Sequence, residues 1–272
     1  MREARFIFVT SCACACLALF APAGLAETVD WRYSMGLHDT SVPDVSSDTF
    51  GINGSLSVDK RTDAGWHYFG SFDLFVDNDH DHLDPDHIPI RWDVHLGSDG
   101  ELWQGTHTVL GWTADINTRM NTVSSIEREI TALPAIFAQY NGKIFQPSLK
   151  VGAGWFFLEI DDDVPKTRGY DRDDFRNSTF AYSAAADVTI RLGACCKLDG
   201  KAQQWLDSDE WLQRQYETAI HIGAGDWMKG SELMLSADFF EYNLDVYQRP
   251  GALPILPWDD DLLVRLMFKL TR

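Results

Sequence analysis

The chain is short of residues that could staple it. Of its five cysteines in 272 residues, Cys12, Cys14 and Cys16 sit in the first twenty positions, and Cys195 and Cys196 are neighbours. Adjacent cysteines do not easily reach ordinary disulfide geometry, so no disulfide framework is expected and no cysteine metal cluster can form. The pair reads as two free thiols, with an unusual vicinal bridge or a reactive pair as the alternatives. Positive charge is scarce as well: 23 lysines and arginines stand against 41 aspartates and glutamates, a formal charge of −18. Phosphate backbones attract basic patches, so nucleic acid is excluded as a partner. Past the N-terminal segment no run of about 18 apolar residues occurs, which excludes helices that cross a membrane.

The N-terminal segment reads MREARFIFVTSCACACLALFAPAGLAETVDW. Arg2 and Arg5 precede an apolar run from Phe6 to about Phe20, and Ala23, Gly24 and Ala26 lead to an expected cut between Ala26 and Glu27. This is the pattern of a secretory signal peptide, residues 1–26. A lipoprotein signal acylated on Cys12 is the rival, since Val9-Thr10-Ser11-Cys12 loosely resembles a lipobox. The segment carries Arg2, Arg5 and Glu3, so its removal leaves the mature chain one unit more negative.

The mature chain is rich in aromatics and alternates with period two. Val29, Trp31, Tyr33, Met35 and Leu37 share one face; Asp30, Arg32 and Ser34 take the other. The same alternation recurs around Phe50–Val58, Trp66–Val76, Ile88–Leu96 and Phe180–Leu192. Such alternation marks strands with one apolar and one polar face. The segments run about twice the five or six residues usual in a soluble sandwich and suit a tilted transmembrane strand of about nine to eleven. The closing stretch DDLLVRLMFKLTR sets Leu262, Val264, Leu266, Phe268 and Leu270 against Arg265 and Lys269. It resembles the last strand that bacterial outer-membrane proteins present to their assembly machinery, except that Thr271 and Arg272 follow where an aromatic residue commonly ends the chain.

On these residues the mature chain, 27–272, resembles the bacterial outer-membrane β-barrel superfamily. The resemblance implies an all-β fold: a single antiparallel transmembrane β-barrel, a monomer embedded in lipid and lipopolysaccharide of the outer membrane. Strands are expected near 28–37, 49–60, 66–77, 88–97, 101–116, 126–140, 144–160, 178–193, 215–225, 231–247 and 261–270. Such barrels keep an even strand number, short turns in the periplasm and long loops outside. That rule holds only if one strand is missing between about 160 and 215, which makes twelve strands, with ten as the alternative. The stretch KLDGKAQQWLDSDEWLQRQ reads at first as a short amphipathic helix in a loop; either it hides the missing strand, or 178–198 holds more strand than its alternation marks. Pro134 and Pro147 inside strand-like segments mark bulges or strand ends.

Barrel parity turns the polar face inward. Pairing across a turn at 98–100 sets His107 roughly opposite Arg91, with Asp93 beside it and Asp73 at the same level. Asp115 and Glu127 pair across the next hairpin, with Glu129 alongside. These seven residues are the expected charged belt. It either fills a narrow lumen with salt bridges or selects small polar solutes by charge. His67, His95, His107 and His221 all turn inward, and no serine–histidine spacing gives a nucleophile with its base. An enzyme acting on envelope lipid is therefore the lesser reading, and a receptor or adhesin-like surface a third.

The stretch DNDHDHLDPDH at 77–87 falls in a long loop. Asp77, Asp79 and Asp81 recur at alternate positions as at the start of a calcium loop, although no glycine or closing glutamate follows. With Asp84, Asp86, His80, His82 and His87 they form a candidate site for Ca2+ or another divalent cation, including a transition metal. A solvated acidic loop is the plain alternative. A bound cation there could bridge loop carboxylates to lipopolysaccharide phosphates, and Lys166, Arg168 and Arg172 of the acidic loop at 159–175 could contact those phosphates directly.

Overall fold

A computed structural model describes residues 29–43, 47–63, 65–77, 90–120, 122, 126–160, 176–193, 195–208, 210–225, 228–243 and 259–271. The N-terminal segment expected as a signal, nearly all of the 77–87 stretch and residues 161–175 of the second acidic loop lie outside them. Twelve strands form: β1 (Val29–Val42), β2 (Ser47–Arg61), β3 (Trp66–Asp77), β4 (Ile90–Gln104), β5 (Thr108–Met120), β6 (Ile126–Tyr140), β7 (Phe145–Ile160), β8 (Arg176–Arg191), β9 (Cys196–Asp207), β10 (Glu210–Gly223), β11 (Ser231–Tyr242) and β12 (Asp260–Thr271). Each pairs antiparallel with its neighbours in the chain, and β1 pairs with β12, closing the barrel.

The apolar series faces out: Met35, Ile52, Ile136, Leu149 and Phe180 are exposed as single-sided stripes. Closure leaves no strand edge, and with the backbone paired along the ladders such a surface can sit in hydrocarbon. One end carries the connections 62–65, 105–107, 141–144 and 192–195; the other carries the longer 78–89, 161–175 and 243–259. We call these the short-turn end and the long-loop end.

Twelve strands stand as expected, and in detail the structure departs from the sequence expectation in three places. The missing strand is β9, in the stretch that reads at first as a helix, and a tight turn with Ser208 at φ 52° joins it to β10. Its outward face, with Gly200, Ala202 and Gln204 between Leu198 and Leu206, is too weakly apolar to announce itself. β1 runs on to Val42, so the loop expected at 38–48 shrinks to 43–46. β4 continues straight through the expected turn at 98–100. Its glycines make room for rings instead: a Cβ on Gly97 would lie 2.3 Å from the Phe69 ring, and one on Gly100 2.6 Å from the Trp112 indole. Finally, Pro134 makes no bulge. The β6–β7 ladder skips Leu133 and Pro134, then resumes in unchanged register, Ala132 with Trp155 and Ala135 with Gly152. A missing N–H interrupts a ladder without having to shift it.

Candidate functional site in the lumen

A barrel of eight strands is filled by its own side chains, and one of sixteen or more holds water. Twelve lies between, so the inward residues decide what the lumen can do. Among the described residues the inward positions carry more carboxylates than lysines and arginines.

Near the long-loop end the lumen is bridged. Arg119, at the end of β5, reaches across to β11 and β12. Its Nη1 donates to the Tyr242 hydroxyl at 2.5 Å, and its Nη2 to Asp261 at 3.4 Å. Its guanidinium lies 3.5 Å from the centre of the Phe240 ring. Tyr242 in turn donates to Glu129 at 2.8 Å, and Gln213 of β10 donates to both Glu129 oxygens at 3.0 Å. Residues from β5, β6, β10, β11 and β12 thus meet in one hydrogen-bonded crossing. Around it pack Ile126, Leu133, Phe156, Leu158, Ile160 and Trp205, all buried.

A second cluster stands at the same end. Arg91 donates to both oxygens of Asp77, at 3.1 and 3.2 Å, and to Thr40 at 2.9 Å. The His38 Nε2–H donates to the same carboxylate at 2.8 Å. The Arg91 guanidinium also sits 4.9 Å from the centre of the Phe75 ring. A two-pronged guanidinium–carboxylate pair fixes geometry as well as charge.

Midway down, Arg265 of β12 links Asp238 at 2.6 Å to Asp73 at 3.7 Å. Asp115 is held by Lys150 at 3.3 Å, by Thr113 at 3.1 Å and by His95 at 3.5 Å. Toward the short-turn end the pairs open to solvent. Two imidazoles stand there, each between two carboxylates. His67 contacts Asp59 at 2.9 Å and Asp99 at 2.8 Å. His221 contacts Asp199 at 3.1 Å and Glu232 at 2.6 Å. His67 and Asp99, with Arg61, Glu101, Phe137 and Gln139, line a cavity of about 340 Å³ at the mouth.

The seven expected belt residues therefore do not form one belt. Asp73 stands opposite Asp93 in the β3–β4 register, and Asp93 opposite Arg119 in β4–β5, 3.9 Å from it. Arg91 belongs to the Asp77 cluster, Glu129 to the crossing, and Asp115 lies between Lys150 and His95. His107 is displaced most: it falls in the turn between β4 and β5, against the Tyr140 ring, because β4 does not turn at 98–100. Arg91 and His107 are thus at opposite ends of the barrel. Asp115 pairs with Leu133, not Glu127, and Glu127 falls where the β6–β7 register shifts between Ile126 and Arg128.

Of the candidate cation ligands, Asp77 ends β3 with its carboxylate taken by Arg91 and His38. Asp79, His80, Asp81, His82, Asp84, Asp86 and His87 lie outside the described residues. Sequence reasoning missed His38, Arg119, Gln213, Tyr242 and Asp261. Parity alone marks Arg119 and Tyr242 as inward, but that they meet across the lumen depends on the barrel's girth.

No protein-family model matches the chain, and no curated protein matches it. Solved structures do. A NanC porin aligns over 89% of this chain and 99% of its own, with a TM-score of 0.51 and 10% identity. The chain has the fold of the outer-membrane β-barrels. An outer-membrane channel from Pseudomonas putida F1 aligns over 93% of this chain and 99% of its own, with a TM-score of 0.49 and 11% identity. The outer-membrane phospholipase A of Escherichia coli aligns over 89% and 92%, with a TM-score of 0.43 and 11% identity.

Proposed function

We propose that this barrel is an outer-membrane channel for small polar solutes, with a preference for cations, its short turns in the periplasm and its long loops at the cell surface. The observation that carries the reading is the inward face itself. Charged and polar side chains run from a wet short-turn mouth, where Asp59, Asp199 and Glu232 stand beside Arg32, Lys197 and Lys269, to the crossing near the opposite end. Along the inward face as a whole, among the described residues, carboxylates outnumber lysines and arginines. Rings of carboxylates favour cations over anions. The crossing is made of hydrogen-bonded side chains, which can part without unfolding a strand. The porin fold of the NanC neighbour suits this reading. The enzyme alternative needs a nucleophile activated by a base; among the described residues the hydrogen-bond and ion-pair partners of His38, His67, His95 and His221 are carboxylates, with no serine, threonine or cysteine bonded to any of them.

The test is single-channel conductance of the refolded mature protein in planar bilayers, with and without calcium. Discrete steps with a cation-selective reversal potential are expected, growing larger in Arg119→Ala. Silence from folded wild type and folded Arg119→Ala alike would overturn the channel.

Two narrower proposals go with this reading. The loop at 77–87 takes Ca2+ or another divalent cation and holds it against lipopolysaccharide phosphates. Because Asp77 is engaged within the barrel, the ligands would come from Asp79, Asp81 and their neighbours. Asp79→Ala with Asp81→Ala should abolish stoichiometric binding, and equal binding in that variant would end the idea. Export by the N-terminal segment, and delivery to the assembly machinery through the β12 pattern, complete the proposal.

A further inference from the structure

Adjacent residues of a strand point to opposite faces, so neighbouring cysteines would ordinarily hold their sulfurs apart. Cys195 and Cys196 do not. The chain bends at Cys195 as it enters β9, and the two Sγ atoms lie 3.4 Å apart. Cys195 is exposed and Cys196 partly so. The backbone holds the bend on both sides: the Cys195 carbonyl accepts from Gly223 N–H at 2.7 Å and the Cys196 carbonyl from Leu192 N–H at 2.9 Å. The result is an accessible dithiol at the short-turn end, standing on the turn beside β10, whose His221 helps line the mouth.

We propose that Cys195 and Cys196 form a reversible thiol–disulfide exchange site that takes up oxidising equivalents from organic disulfides. Cys195, the more exposed, attacks as thiolate on one sulfur of the disulfide. A mixed disulfide forms and one thiolate leaves. Cys196 then gives up its proton and attacks the Cys195 sulfur, closing the vicinal bridge and expelling the second thiolate. Two protein thiols are oxidised and one disulfide is reduced to two thiols, with protons passing through solvent. Exposed and strained disulfides are the labile kind, so the bridge should reopen readily with a dithiol reductant. Placing the site in the periplasm rests on the barrel orientation proposed for the channel; its chemistry does not.

The experiment uses the refolded mature protein, incubated with glutathione disulfide and read by intact mass. Wild type should lose two hydrogen masses and retain no glutathione, whereas Cys195→Ser and Cys196→Ser should each retain one glutathione. In its reduced form, wild type should also bind one phenylarsine oxide per chain through both sulfurs with release of water, and each single variant should lose that tight binding. Wild type that keeps glutathione on either sulfur, or that leaves both thiols unmodified, would overturn the proposal. The readout is chemical, so its failure leaves the channel reading intact, and a silent barrel leaves this one intact.

Discussion

At the long-loop end the side chains of His38, Asp77 and Arg91 are 0, 2 and 5% exposed; at the short-turn end those of Asp99 and Glu232 are 31 and 37% exposed. Both ends are built from carboxylates, histidines and cations, and both pair them. The difference is what surrounds the pairs. At the long-loop end Phe75, Phe240, Phe156 and Trp205 exclude water, so each charge must find its partner in the protein, and removing one partner strands the other. At the short-turn end water reaches the carboxylates, though His67 and His221 are themselves only 12 and 11% exposed, and an ion pair there holds less energy while still setting a local potential. On the channel reading proposed above, the first end would close the lumen mechanically and the second would choose by charge.

Arg119→Ala is the sharpest way to break this contrast. It takes the Arg119 cation away from Glu129 and Asp261 inside the packed half, and should cost about 3 to 5 kcal/mol, read from denaturant unfolding of the folded barrel in lipid. A loss below about 1 kcal/mol would mean that water already enters the crossing. Tyr242→Phe is gentler. It deletes the hydroxyl that joins Arg119 to Glu129, yet leaves Arg119 its contact with Asp261 and Glu129 its contact with Gln213. A loss of about 1 to 3 kcal/mol is expected, with a larger rate of channel opening. The smallest stability effect belongs to the short-turn end. Asp59→Asn with Asp99→Asn should move the unfolding free energy by under about 1 kcal/mol, while lowering cation preference in the reversal potential. Unchanged selectivity in that variant would remove the mouth from the selective path.

Much of the fold was legible because alternation is a property of single strands. Trp31 to Leu37 or Leu262 to Leu270 name their two faces without knowledge of any neighbour. β9 was hard to see because its lipid face carries Gly200, Ala202 and Gln204, leaving the polar side to dominate. The GSDG stretch at 97–100 misled for a related reason: glycine beside aspartate signals a turn, but here the glycines accommodate Phe69 and Trp112, aromatic partners on neighbouring strands. The site was less legible than the fold. Inward parity of Asp73, Asp93, Asp115 and Glu129 follows from alternation, whereas Arg119 meeting Tyr242 depends on register accumulated over many strand pairs. A single misplaced turn, as with His107, moves a residue by the full height of the barrel.

The seam between β1 and β12 carries one last consequence. Arg32 pairs with Thr271 and Ser41 with Leu262, so the first and last strands of the barrel complete each other. Until β12 is in place, β1 and β11 both present unpaired edges, and open edges recruit other chains. The pairing is also about as non-local as a chain allows, which makes it slow to find. Assembly of this barrel therefore hinges on β12, and a chain lacking that strand would expose two open edges and aggregate instead of closing.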